Sequence, residues 1–333
     1  MALDPELTKD WLDFEQFKER YQKVPVEEYP NNVLEAIPEP VVSVRITTYQ
    51  HVNYIRDAIE GVLMQKTDFP FEIIIGDDES TDGTREICIE YAEKNPDKIR
   101  LFLHKRENNI AILGKPSHIF QYSYNSFNLR GKYVVGCSGD DYWTDPLKLQ
   151  KQVEFMSTNL EYSKTHHPVR TYYENSGLIK ESTLSRPCTV MYKNIHARIP
   201  EQMIGVLNED YFINFMLSTI GKSTVIDSIE PSVYRQHATG MWSSDKESNK
   251  HNHMINTVKK LIDVYQHTEH KYKLQKQLIE RLVRRESKFG RSYQSKKEIV
   301  IYVIKHKLYS FFLSHLVRRT RPYQGLKRIF KNG

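Results

Sequence analysis

Two adjacent carboxylate pairs, each closing an apolar run, carry the most chemical information in this chain: Asp77-Asp78 in FEIIIGDDESTDGT and Asp140-Asp141 in GKYVVGCSGDDYWTDP. Adjacent carboxylates repel one another, and burying them is costly unless positive charge or hydrogen-bond donors lie between them. Paired carboxylates are suited to gripping hydroxyl groups and a hard divalent cation such as Mg²⁺ or Mn²⁺, which in turn bridges the oxygens of a diphosphate. In the second pair one carboxylate can hold the metal while its neighbour accepts a ribose or sugar hydroxyl. In the first, a carboxylate can accept a base N–H or a ribose hydroxyl. The DDESTDGT stretch is also good turn and helix-capping chemistry, so on local grounds both readings of Asp77-Asp78 stand.

Two further groups come later in the chain. Asn208-Glu209-Asp210 opens an apolar segment, where a carboxylate is a helix cap or a general base taking a proton from a hydroxyl. Tyr234-Arg235-Gln236-His237 offers a diphosphate clamp and a metal ligand. His237 has no local claim over the other histidines, 13 in all; His166, His167, His251 and His253 are read as non-catalytic. Neither GxxxxGK[ST] nor GxGxxG occurs, which argues against a P-loop NTPase and a dinucleotide-binding dehydrogenase.

The elements that must position these groups follow from apolar spacing. VVSVRITTY, FEIIIGDD, IRLFLH and KYVVGCS read as buried strands. VNYIRDAIEGVLMQ, TDGTREICIEYAEKNP, SHIFQYSYNSFN and DPLKLQKQVEFMSTN read as the helices between and after them. Such alternation predicts an α/β fold with a mostly parallel sheet covered by helices, and in such sheets ligands sit beyond the carboxyl ends of the strands. Both Asp pairs fall there. Residues 1–38 read as a polar, partly helical N-terminal arm ending in a Pro-rich connection. Residues 39–242 form the expected main domain. Residues 160–240 are less regular, and 243–333 read as helical and basic.

Composition is that of a globular protein, 39% hydrophobic and 27% charged. Three scattered cysteines without CxxC spacing predict neither a disulfide framework nor a zinc site and favour a reducing compartment. The acidic N-terminus is not expected to be a secretion signal, and no run reaches the length of a membrane span. The expectation is a cytoplasmic location, either free or peripheral on the inner face of the plasma membrane. Charge is uneven: residues 1–240 hold 26 Lys/Arg against 35 Asp/Glu, and residues 241–333 hold 22 against 7. A basic end on an acidic body predicts an anionic partner. A membrane surface or phosphorylated acceptor suits it better than nucleic acid, for which no recognition motif is present.

The blocks VVSVRITTYQHVNYIRDAIEGVL, EIIIGDDESTDGT and GKYVVGCSGDDYWTDPLKLQKQVEFM, followed in order by NEDYF and VYRQHATGMWS, resemble the family 2 glycosyltransferases of bacteria, of the type that builds surface polysaccharides. The resemblance runs from Val41 to Trp242. It implies a GT-A fold and an inverting, metal-dependent transfer from a nucleoside-diphosphate sugar, UDP-linked by preference, to a glycan or lipid-linked acceptor. Carried over by position, it puts Thr48, Tyr49 and Asp78 at the nucleoside with Asp77 beside them. Asp140 falls on the ribose or sugar, Asp141 and His237 on Mn²⁺ or Mg²⁺, and Arg235 beside the diphosphate. Asp210 becomes the general base. The chain departs from the family pattern at Gln50, where Asn is usual, at Ser138, where an acidic residue is common, and at Asn208, where Thr is common. A sugar-1-phosphate nucleotidyltransferase is the alternative enzyme, but TTYQHVNYIRD lacks the Gly-rich basic loop such enzymes use. An inactive sugar-nucleotide-binding scaffold would not need Asp78, Asp140, Asp141 and Asp210 together.

The last segment, KKEIVIYVIKHKLYSFFLSHLVRRTRPYQGLKRIFKNG, mixes apolar and basic residues. Its lysines disfavour a bilayer span, and its composition suits the headgroup layer of an anionic membrane or a helix packed on protein. On the membrane reading, deleting residues 299–333 shifts the protein from the pellet to the supernatant when it is sedimented with phosphatidylserine-containing vesicles; unchanged co-sedimentation would refute it.

Overall fold

A computed structural model describes residues 3–240 and 242–289, with residues 299, 301–303, 305, 306 and 308. The tail expected at a membrane surface otherwise lies outside the described residues. Among the described residues, no helix is long and apolar enough to cross a membrane.

In chain order the elements are helix α1 (Pro5–Thr8), α2 (Phe14–Tyr21), strand β1 (Glu27–Glu28), α3 (Val33–Ala36), β2 (Val42–Thr48), α4 (Ile55–Leu63), β3 (Phe71–Asp77), α5 (Thr84–Lys94) and β4 (Ile99–Leu103). A short hairpin follows, β5 (Ile110–Ile112) and β6 (Lys115–Ser117), then α6 (Ile119–Phe127), β7 (Tyr133–Ser138) and α7 (Lys148–Thr158). The remainder comprises β8 (Tyr162–His166), β9 (Val169–Tyr173), β10 (Leu178–Ser182), β11 (Met191–Lys193), α8 (Glu201–Ile204), α9 (Glu209–Ile220), β12 (Lys222–Val225), β13 (Ser232–Gln236), α10 (Glu247–Val264) and α11 (His270–Phe289).

The main sheet runs β1-β4-β3-β2-β7-β11-β8-β12. Its middle strands β4, β3, β2 and β7 are parallel, β1 and β11 are antiparallel to their neighbours, and β12 is parallel to β8. The sheet is therefore mixed. A smaller sheet, β10-β9-β13, collects residues from the region that lacked clear periodicity in the sequence.

The two faces of the central strands are chemically unlike. Val42, Val44 and Ile46 of β2 and Phe71, Ile73 and Ile75 of β3 point to one side, where Ile55, Ile59 and Val62 of α4, Cys88 of α5 and Leu149 and Met156 of α7 join them in one apolar core. Full burial of each such side chain stabilises the fold by about 1.5–3 kcal/mol. The alternate residues Ser43, Arg45, Glu72 and Gly76 face α6. Arg45 is buried against the Tyr122 ring, 3.7 Å away, and donates to Ser126 Oγ at 2.6 Å. At Gly76 a Cβ would lie 2.0 Å from the Asn125 side chain, so only glycine lets α6 approach β3 this closely. The N-terminal residues pack on the same helix, with Phe17 stacked on Phe120 and Phe14 on Phe127.

The chain divides into two compact units. One comprises residues to Ile204 with Glu209–Ser244; the other comprises Gly205–Asn208 and residues from Asp245 onward. In the second unit α10 and α11 pack together, with Ile255, Val258 and Leu261 on one and Leu274, Leu278 and Leu282 on the other buried at helical spacing.

Glu72 is wholly buried. It accepts from Ser43 Oγ at 2.5 Å, from the Arg130 amide at 3.0 Å and from the Arg130 guanidinium at 2.9 and 2.6 Å. Removing the cation alone strands the carboxylate. Arg130→Ala is expected to lower the unfolding free energy by about 3–5 kcal/mol in denaturant titrations; a loss within the range of a surface substitution would show that the pair contributes little.

Candidate functional site

Register decides where the site forms. Thr48 pairs with Asp77 across β2 and β3, and Thr47 with Ser138 across β2 and β7, so three neighbouring parallel strands end at one edge. Asp77-Asp78 and Asp140-Asp141 leave that edge on opposite sides of β2. Two strand spacings amount to roughly 10 Å, too far for the pairs to share one ion.

On the β3 side, Asp77 is fully buried. Its Oδ2 accepts from the Ser80 amide at 3.1 Å and from Arg85 Nε at 2.5 Å. It thus holds the turn and the start of α5. Asp78 turns the other way: its Oδ2 accepts from Arg106 Nη1 at 2.8 Å and Asn109 Nδ2 at 3.0 Å, while its buried Oδ1 has no partner. Burial raises the Asp78 pKa, with Asn109 and Arg106 pulling against it. The Arg106 guanidinium lies 4.0 Å from the Tyr49 ring, which is 40% exposed. A half-exposed aromatic ring, a guanidinium and a carboxylate with an unpaired, buried oxygen thus meet at this edge. Gln50, where the family pattern has Asn, ties this group to the next loop. Its Oε1 accepts from the Thr81 and Asp82 amides at 2.8 and 3.2 Å, and its backbone takes a φ of +56°.

On the β7 side, Asp140 Oδ2 lies 3.0 Å from His237 Nε2 and 3.9 Å from His51 Nε2. One donor atom from each of the three residues falls within 4.8 Å of the others. Burial alone would raise the Asp140 pKa, but the His237 hydrogen bond and the charge of His51 outweigh it and hold the carboxyl below its ordinary value. That hydrogen bond in turn raises His237, against partial burial. Burial lowers the His51 pKa, against the charge of Asp140. One ionised carboxylate and two imidazoles fit a divalent metal ion.

Asp141 faces away from this cluster. It is fully buried, its Oδ1 accepts from the Arg235 amide at 3.0 Å and its Oδ2 has no partner; burial, then the charge of Asp140, push its pKa well up. The structure therefore brings Asp140, and not Asp141, to His237. Through its bond to the Arg235 amide, Asp141 ties the β7 loop to the strand that carries Arg235. That strand, β13, is clasped to the loop by reciprocal bonds between Tyr142 and Val233 at 3.2 and 2.9 Å. The Arg235 side chain donates to the Asp140 carbonyl at 3.1 Å, forms an ion pair with Asp57 and lies against the Tyr54 and Tyr142 rings. Thr48 Oγ1 lies 3.1 Å from His51 Nδ1.

Glu209 and Asp210 begin α9. Glu209 is bonded to His118 at 2.9 Å. Asp210 is exposed, yet desolvation by surrounding protein is the main reason its pKa rises to about 6, with Glu209 adding to it. Accessible surface measures the water contact directly.

Sequence reasoning passed over His51, Arg106, Asn109 and His118. A signal existed for two of them: His51 and Arg106 both follow the carboxyl end of a parallel strand, the edge already singled out. A cavity of about 380 Å³ lined by Thr8, Lys132, Lys193 and Arg198 belongs elsewhere, since Lys132 precedes β7 at the opposite edge of the sheet.

The chain has counterparts among known proteins. Residues 43–183 match the model "Glycosyl transferase family 2". An uncharacterised protein of Mycobacterium tuberculosis is 32% identical over 219 residues, 61% of this chain and 61% of its own. The chain thus spans about three fifths of the length of such relatives. TuaG of Bacillus subtilis, named as a teichuronic acid biosynthesis glycosyltransferase, is 36% identical over 118 residues, 35% of this chain and 42% of that protein. Among solved structures, S. aureus TarS 1–349 in complex with UDP-GlcNAc covers 79% of each chain with a TM-score of 0.52 at 17% identity. That likeness is one of fold, and the fold is GT-A.

The Asp140–His237 contact makes a measurable prediction. In Asp140→Asn the carboxylate is gone, so the pKa of His237, raised in the wild type, is expected to fall to or below 6.5 in an NMR titration of the histidine ring protons. An unchanged His237 titration would mean that the bond is not formed in solution.

Proposed function

We propose, for a chain whose residues 43–183 belong to glycosyl transferase family 2, that it is an inverting glycosyltransferase moving a sugar from a nucleoside diphosphate, UDP by preference, to a hydroxyl of a glycan or lipid-linked acceptor in polysaccharide synthesis. The observation that carries the reading is the placement of two unlike polar clusters either side of β2 at one sheet edge: an aromatic and carboxylate slot at Tyr49, Asp78 and Arg106, and the Asp140–His237 pair with Arg235 beside it. Their separation suits the two ends of a nucleoside diphosphate.

On this reading the Tyr49 face takes the base, and Asp78 accepts its N–H once the base displaces the side chains that cover the carboxylate. Asp77 holds the turn behind Asp78, and Thr48, whose hydroxyl meets His51, lies between the two clusters. Asp140 and His237 would hold Mn²⁺ or Mg²⁺, which when bound neutralises charge on the diphosphate. Arg235 supplies fixed positive charge nearby, anchored by the Asp141 bond to its amide. Asp210 takes the proton of the acceptor hydroxyl. The acceptor oxygen forms a bond to the anomeric carbon as the bond from that carbon to the phosphate oxygen breaks, and the electron pair leaves on the diphosphate. A single in-line displacement with one base inverts that carbon. The relatives' names support the polysaccharide setting, and UDP-GlcNAc in the TarS complex supports the donor class.

A base must be deprotonated to act. With the Asp210 pKa near 6, kcat/KM is expected to fall as pH drops below about 6 and to level off above it. Incubation with UDP-sugars, acceptor glycans and Mn²⁺, followed by nucleoside diphosphate release, provides the assay. Asp210→Asn is expected to retain donor binding and lose transfer by at least about 10²-fold; normal turnover in that variant would remove Asp210 as the base.

A further inference from the structure

We propose that His51 is a third protein ligand of the cation in this site, giving a two-imidazole, one-carboxylate set that selects a first-row transition dication such as Mn²⁺ over Mg²⁺; this rests on the reading that Asp140 and His237 hold a metal there.

Three observations converge on His51. Its Nε2 faces Asp140 Oδ2 at 3.9 Å, the same oxygen that His237 Nε2 meets at 3.0 Å, and the three donor atoms fall within 4.8 Å of one another. Bonds of about 2.1 Å to one ion need donors roughly 3–4 Å apart, so only a small inward shift closes the set. Second, the two histidines are held alike. Each has Nδ1 against a threonine hydroxyl, Thr48 Oγ1 at 3.1 Å for His51 and Thr239 Oγ1 at 2.9 Å for His237, leaving Nε2 directed at Asp140. A ligating imidazole is oriented in this way through its second nitrogen. Third, the backbone makes room for His51. At Gly139 a Cβ would lie 2.5 Å from Thr48 Oγ1 and 2.8 Å from His51 Nδ1, so any side chain there would displace the ring and its support.

The donor set determines the preference. Mg²⁺ keeps oxygen ligands and water, whereas imidazole nitrogen favours transition dications. Two imidazoles beside one carboxylate also lower the site's negative charge, further weakening its hold on a hard ion. With Ser138 in place of an acidic residue, His51 supplies a ligand from β2's loop that the β7 loop does not.

The test is made on the full chain, with Mn²⁺ followed by electron paramagnetic resonance, with and without UDP, and with Mg²⁺ as competitor. The wild type is expected to show pulsed-resonance coupling to two histidine nitrogens, identified by ¹⁵N-histidine labelling, and to resist displacement by equimolar Mg²⁺. His51→Asn is expected to keep one coupled nitrogen, to bind Mn²⁺ roughly tenfold or more weaker, and to lose most of its discrimination against Mg²⁺. Identical spectra and affinities in His51→Asn overturn the proposal, as does easy displacement by Mg²⁺ in the wild type. Should His51→Asn fail to fold, the nitrogen count in the wild type decides: two supports the proposal, one or none overturns it. Sugar transfer that persists while the count is one leaves the glycosyltransferase reading standing and removes His51 alone; with a count of none it removes His237 as a ligand as well.

Discussion

The parallel pairing of β2 with β3 on one side and β7 on the other is the constraint from which the rest follows. Because the three strands run together in matched register, their carboxyl ends open at a single edge. Every polar group of the site is attached to that edge or reaches it from elsewhere. The apolar face built from Val42, Val44, Ile46, Phe71, Ile73 and Ile75 locks the register, since a slip of one residue would turn these side chains toward Arg45 and Glu72's polar side. Position at the rim is thus decided by burial well below it.

The carboxylates illustrate how neighbours give one residue type several tasks. Asp77 is neutralised by Arg85 and spends its hydrogen bonds on the turn. Asp78, one residue on, meets Arg106 and keeps an oxygen free. Asp140 is held ionised by imidazoles, while Asp141, adjacent to it, is driven toward its neutral form by burial. Asp210 lies between these extremes, hemmed in but wetted. Charge state here is set by geometry at the scale of one residue.

Much of this was legible in the sequence. The strand-and-helix alternation, the sheet edge and the five carboxylates could be read because they depend on short-range periodicity and turn chemistry. The orientation of Asp140 and Asp141 could not, because it depends on which of two adjacent side chains turns toward a strand some ninety residues later. The small β10-β9-β13 sheet was hidden for a related reason: β9 and β13 are short and pair across a long interval, so neither shows strong periodicity of its own. His51 lay in view but was one histidine of 13, and only Thr48 beneath it and Asp140 beside it distinguish it.

The clasp of β13 over the β7 loop bears on the order in which the molecule is assembled. Tyr49, Asp78, Arg106 and Asn109 fall within one stretch of about sixty residues, whereas the bond from Arg235 to Asp141 spans 94. Closing a chain interval of that length costs about 4 kcal/mol in loop entropy before any contact offsets it, and contacts of such separation form late. During synthesis the β3 side of this edge can therefore be complete while the β7 side still waits for residues 232–237. A nascent chain stopped short of them would carry the β3 side of the edge alone.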